Sequence, residues 1–181
     1  MTATDLQDVP WSELREFDFR APGRDQWADV GTVQDRVETF LDGIPDSGWA
    51  VPVSASDAPG APPWTLLDHL GHVADWTDEA IRCTEPLVDG TGAWPRDEDY
   101  PVGDFDAWNE GRRAIWEGRT PAEVRAWLRT SADRLVELAR ELPPGVADSD
   151  EAWEWVWHTL NAHPIEHVAI AAADEPSAEP A

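Results

Sequence analysis

Apolar residues along this chain recur at intervals of three and four, the helical period, rather than two. Val30, Val33, Val37, Phe40, Leu41 and Ile44 trace one stripe, which predicts a helix over about 26–44 that stops before Pro45. A second helix is predicted over roughly 64–88, opened by Pro62-Pro63-Trp64-Thr65, and a third over about 104–117 in "DFDAWNEGRRAIWEG". Thr120-Pro121-Ala122-Glu123 is a strong start signal: an N-cap threonine, proline at the first helical position, and a glutamate placed to close a capping box. The helix that follows, about 121–142, carries Val124, Trp127, Leu128, Leu135, Leu138 and Leu142 on one side. The last helix begins near Ser149 and runs to about Ala173. No stretch alternates convincingly as a strand, and the Pro/Gly-rich segments 51–63 and 89–103 read as loops.

Long amphipathic helices joined by loops must bury their stripes against one another. The expected fold is therefore all-α, a four-helix bundle spanning residues 26–173. Residues 1–25, with "APGRD" at 21–25, read as an irregular, loosely attached N-terminal arm. The tail "DEPSAEPA", 174–181, reads as disordered.

Charge narrows the partners. Thirty-seven acidic residues face thirteen basic ones, all arginine, for a formal net charge of −24. Such a surface repels nucleic-acid phosphates and anionic membranes, so neither is an expected partner. The acidity suits a highly soluble surface, or a patch that attracts cationic ligands and divalent ions. No run approaches the roughly 18 apolar residues of a membrane span, and the first residues carry no leader-like pattern. The single cysteine, Cys83, excludes an intramolecular disulfide and reads as a buried apolar filler. A cytoplasmic protein acting on a small molecule is the expectation. Twelve tryptophans stand against four phenylalanines and one tyrosine. Most serve as core, but several could line a pocket.

Candidate chemistry centres on the five histidines. In "NAHPIEH", His163 and His167 lie four residues apart, a spacing that lets two imidazoles on one helix face share a metal ion. They continue the stripe of Trp153, Val156, Leu160 and Ile170, so they should point inward, where a polar group needs a partner. Pro164 implies that the helix is kinked there or restarts with His163 near its N-terminus. A third ligand must come from another helix, where "WTLLDHLGHVADW" offers His69 and His72. On a helical wheel His69 lies about 50° from the centre of the apolar stripe and His72 about 110°. Periodicity thus prefers His69. His158 falls off the stripe and reads as surface.

Segments 64–76, 104–142 and "LNAHPIEH" at 160–167 together resemble, in order and spacing, the motifs of DinB-like four-helix-bundle proteins. That superfamily includes mycothiol-dependent maleylpyruvate isomerases, bacillithiol transferases and the ClbS/DfsB group. The resemblance implies His72, His163 and His167 as ligands of a divalent metal such as zinc, nickel or iron, and so departs from the wheel. It also implies a low-molecular-weight thiol cosubstrate and allows a homodimer. Asp68 and Glu166 could each hold an imidazole tautomer by accepting its other N–H. Glu79 is a candidate base. Trp76, Trp153 and Trp157 could wall the pocket, and Asn109 could face it. Two functions follow: a thiol-dependent S-transferase or isomerase acting on a small electrophile, or a non-catalytic bundle that binds metal or a small ligand for sequestration or stress protection.

Overall fold

Capping chemistry and apolar stripes shape the protein much as the pattern predicts. The computed structural model describes residues 6–54, 60–95 and 105–173. Its elements run α1 (Trp11–Leu14), α2 (Gln26–Gly43), a 3₁₀ turn (Asp46–Ala50), β1 (Pro52–Ser54), β2 (Trp64–Thr65) and α3 (Leu66–Val88). Then follow α4 (Phe105–Arg112), a 3₁₀ turn (Arg113–Ile115), α5 (Pro121–Glu141), α6 (Pro144–Ala147), α7 (Asp150–Ala152), a π-helical stretch (Trp153–His158) and α8 (Ala162–Ala173). The fold is all-α, with α2, α3, α5 and the run from α7 to α8 as the bundle. The tail expected at 174–181 lies outside the described residues, as do 55–59 and 96–104 within the two expected loops.

Helix starts follow local chemistry. Asp25 accepts from the backbone N–H groups of Trp27 and Ala28 at the head of α2. Thr65 and Asp68 close a capping box on α3: Asp68 N–H donates to Thr65 Oγ1 at 3.2 Å, and Thr65 N–H to Asp68 Oδ2 at 2.9 Å. Thr120 and Glu123 repeat the device on α5. Each box satisfies two N–H groups that the first turn would otherwise leave without acceptors.

α3 is the central helix. It packs against both α5 and α8, and the 3₁₀ turn at 113–115 and the 3₁₀ turn at 46–50 also contact it. Leu66, Leu70 and Val73 join Val33, Val37, Leu41, Val124, Leu128, Ile165 and Val168 in one apolar cluster. Ala80 and Leu87 join Val30, Leu135, Ala139, Val156 and Leu160 in a second. Burying each of the larger side chains contributes about 1.5–3 kcal/mol, so these clusters dominate stability. Among the described residues, no helix is long and apolar enough to cross a membrane.

Two sequence expectations need correction. Residues 6–25 do not hang loosely: Leu6, Leu14 and Phe19 are buried in the first cluster, and α1 packs against α8. The Gln26 amide donates to the Phe19 carbonyl at 2.5 Å, tying the arm to α2. These apolar residues enter the core singly, so no period reveals them. Residues 52–54, expected as loop, pair antiparallel with β2, with Pro52 opposite Thr65 and Ser54 opposite Trp64. Strands this short cannot show alternation, yet they bring Ser54 beside the head of α3.

Candidate metal centre

His69 and His72 stand on the first two turns of α3, three residues apart, and both are buried. The opposing pair comes from α8. The long C-terminal helix is interrupted: a π-helical stretch ends at His158, Asn161 forms a turn in which its N–H donates to the Trp157 carbonyl at 2.9 Å, and α8 begins at Ala162. Pro164 therefore sits in a first turn, where its missing N–H has no intrahelical acceptor to lose. Of the two outcomes the proline allowed, the structure takes the restart, which keeps His163 and His167 one helical turn apart on a regular helix. The restart also resets the phase. Ile165, Val168 and Ala171 face the core, while Ile170, expected on the inward stripe, is only half-buried.

The imidazoles converge. His163 Nε2 lies 3.3 Å from His72 Nε2 and 3.1 Å from His167 Nε2. Ring nitrogens of His72, His163 and His167 all fall within 4.8 Å of one another. A metal–nitrogen bond of about 2.0–2.1 Å sets neighbouring ligands about 2.9 Å apart at octahedral angles and about 3.4 Å at tetrahedral ones. The two separations from His163 lie between these limits, so the three histidines could hold a divalent ion.

Their protonation suits that role. Burial pushes the His72 imidazole well below its ordinary range, and the neighbouring His163 and His69 add to the effect. His163 is lowered to about 4, first by burial and then by His158, against a smaller opposing effect of Glu166. His167 is likewise lowered, by burial and by His163, His72, His69 and Arg15. At neutral pH all three rings are neutral and offer lone pairs.

The sides of the site are aromatic. The Trp64 ring packs 5.3 Å from His72 and 5.4 Å from His69, and Trp76 and Trp116 lie 6.3 and 6.4 Å from His72 between centroids. Trp76 Nε1–H donates to Asn109 Oδ1 at 3.1 Å, which anchors one wall to α4. Trp116 is fully buried against Gly71. Trp157 instead packs edge-on against Trp27, 4.8 Å between centroids, in the second apolar cluster. Trp153 lies under Arg20 and against the first cluster. Neither makes a ring contact with a histidine of the centre among the described residues.

The carboxylates are engaged elsewhere. Asp68 occupies the third position of its helix, where a side chain folds back toward the cap. One of its oxygens accepts from Thr65 and Arg113, the other from Arg113 and Trp116 Nε1–H at 3.2 Å. Burial would raise the Asp68 carboxyl, but the Thr65 hydrogen bonds and the Arg113 charge outweigh it and hold it low. Neither oxygen meets an imidazole, which corrects the expectation for this residue. Glu166 turns to His158, 3.5 Å from its Nε2, instead of to a ring of the centre. His158, read as surface, stacks at 22° over His163 with centroids 6.0 Å apart. Glu79 pairs with Arg82 on α3, and Asp75 with Arg112. Cys83 is buried farther along the same helix, beside Arg82 at 3.8 Å.

Sequence reasoning did not find Trp64, Trp116, Arg113 or Ser54. Trp64 stands beside the predicted start of a helix, a signal that could have drawn attention to it. The others reach the site from segments with no periodic relation to the histidines. Three neutral nitrogen donors leave coordination positions open, as in catalytic sites, and a divalent ion there would lower the pKa of a bound water or thiol, or polarise a carbonyl.

The family model described as the DinB superfamily matches residues 30–171, which include both histidine segments. No curated protein and no solved structure matches the chain significantly.

Proposed function

The chain belongs to the DinB superfamily, and from that membership and its histidine geometry we propose that it is a divalent-metal-dependent enzyme. It uses zinc, nickel or iron, held by His72, His163 and His167, in thiol-dependent S-transfer or isomerisation of a small electrophile. The observation that carries the reading is the convergence of three histidines, with His163 Nε2 3.3 Å from His72 Nε2 and 3.1 Å from His167 Nε2 and ring nitrogens of all three within 4.8 Å of one another. When bound, the ion supplies activation of a low-molecular-weight thiol as thiolate. The chain's own residues do the rest. The three imidazoles fix the ion, Trp64, Trp76 and Trp116 exclude water from one side, and Asn109 holds Trp76 in place. The acting protein is cytoplasmic, takes a small-molecule substrate, and has neither nucleic acid nor membrane as partner; a homodimer is compatible with this role.

One observation favours a second reading, that of a non-catalytic metal-binding module. The carboxylates Asp68, Asp75, Glu79 and Glu166 are all engaged by arginine or by His158. None is presented as a general base. An enzyme whose metal activates a thiol needs no such base, whereas one that deprotonates substrate does.

The test begins with elemental mass spectrometry on the untagged full chain beside His72→Ala and His163→Ala. A stoichiometric divalent ion, lost in both variants, supports the metal site; no ion after reconstitution with zinc, nickel and iron sinks it. The loaded protein is then assayed for thiol consumption with small electrophiles. Metal binding without turnover across a panel of thiols would favour the second reading.

A further inference from the structure

The fourth histidine, His69, is buried on the side of His167 away from His163. Its Nδ1 lies 2.7 Å from Nδ1 of His167, and its Nε2 lies 2.9 Å from Ser54 Oγ. Two ring nitrogens at that distance must share a single hydrogen, because two bare lone pairs or two N–H groups would repel. With both rings neutral, only two arrangements satisfy this. In one, His167 Nδ1–H donates to His69; His69 then carries its own hydrogen on Nε2, which donates to Ser54. In the other, His69 Nδ1–H donates to His167, the Ser54 hydroxyl donates to His69 Nε2, and His167 carries its hydrogen on Nε2.

The second arrangement aims an N–H at His163 Nε2, 3.1 Å away, and leaves His167 no lone pair for an ion. The first presents the Nε2 lone pair of His167 to the space shared with His72 and His163. The hydroxyl of Ser54 can serve either, since it both donates and accepts. We propose that His69 is the positioning residue of the centre: its Nδ1 accepts the Nδ1–H of His167, which turns the Nε2 lone pair of His167 toward His72 and His163, and Ser54 holds His69 in the matching tautomer. This rests on the reading of His72, His163 and His167 as metal ligands.

The surroundings hold the arrangement in place. Trp64 packs against both His69 and His72, and the rings of His69 and His167 are 5.0 Å apart between centroids. The pairing of β1 with β2 sets Ser54 opposite Trp64 and so delivers its hydroxyl to His69. The role also accounts for a polar ring that is buried without facing the cluster of Nε2 atoms. Ligating histidines depend on such a partner for orientation and basicity, and its loss typically costs 10–100-fold in metal affinity.

Zinc affinity, measured by competition with a chromophoric chelator on the full chain, tests this with His69→Leu, His69→Asn and Ser54→Ala. In His69→Asn the amide oxygen stands where Nδ1 stood. His69→Leu should still take up a stoichiometric ion at saturation, with affinity lower by about 10–100-fold. His69→Asn should recover most of that loss, and Ser54→Ala should show a smaller one. Nitrogen-15 chemical shifts of zinc-loaded wild type should show His167 protonated at Nδ1, a readout that needs no variant to fold. Protonation at Nε2, or unchanged affinity in a folded His69→Leu, would overturn the proposal while the metal site stands. Complete loss of the ion in both His69 variants would make His69 a ligand and also overturn it. A wild-type protein that binds no zinc would overturn the metal reading and this inference with it.

Discussion

Gly71 and Trp116 interlock: a Cβ placed on Gly71 would come within 2.4 Å of Trp116 Cγ and 2.9 Å of its Cβ. The glycine lies between Leu70 and His72 on α3, so the indole can rest directly on the helix backbone beside a histidine of the centre. From there its Nε1–H reaches Asp68. Alanine usually stabilises a helix by about 1 kcal/mol relative to glycine. Here the crowded atoms are the root of a fully buried side chain, which cannot swing aside. Gly71→Ala should therefore destabilise by about 1–3 kcal/mol, the usual cost of overpacking. Gly31 on α2 has nothing within 4 Å of the same added carbon, and Gly31→Ala should be neutral to stabilising by up to about 1 kcal/mol. Thermal melts of both variants give the comparison.

Metal loading should stabilise the fold. An ion that binds only the folded chain adds about 3 kcal/mol at 100 times its dissociation constant. For a chain of this size that is a rise of roughly 5–10 °C in Tm. The increase should disappear with chelator and be absent in His163→Ala and His167→Ala, as read by calorimetry with and without zinc.

Acid should weaken the metal-free protein through His163. Its folded value, about 4, lies below the ordinary 6.5, so between those pH values the unfolded chain takes up a proton that the folded chain refuses. The stability is fully present above pH 6.5 and is lost as pH falls toward 4, by about 3 kcal/mol for this group. His72 and His167 shift in the same direction and add to the loss. Denaturant midpoints across this window should fall steeply in wild type and more gently in His163→Gln.

Asp68 should matter to the fold more than to the ion. Removing its side chain takes away the half of the α3 capping box that accepts from Thr65, the partly buried ion pair with Arg113 and the acceptor of Trp116. Asp68→Ala should cost about 2–4 kcal/mol. Zinc affinity of the folded variant should stay near wild type, because no imidazole depends on this carboxylate. A large loss of affinity at unchanged stability would contradict that assignment.

What the sequence determined by itself is what neighbouring residues decide together. The caps at Thr65 and Thr120 act within one turn, and the apolar stripe of α2 lies where its period puts it. The His163–His167 spacing is a property of a single helical turn, preserved because Pro164 begins that helix instead of interrupting it. Only the tertiary structure shows how His69 and His72 are disposed about the α8 pair. A helical wheel assumes one buried side, but α3 is buried nearly all round, so angle from the stripe cannot rank the two. The relative placement of α3 and α8 gives His72 to the cluster of Nε2 atoms and His69 to the back of His167. Ser54, Arg113 and Trp116 join through a short strand pair and a 3₁₀ turn, elements too brief to carry a period. Such contacts arise from chain segments packing against one another, and no local pattern encodes them.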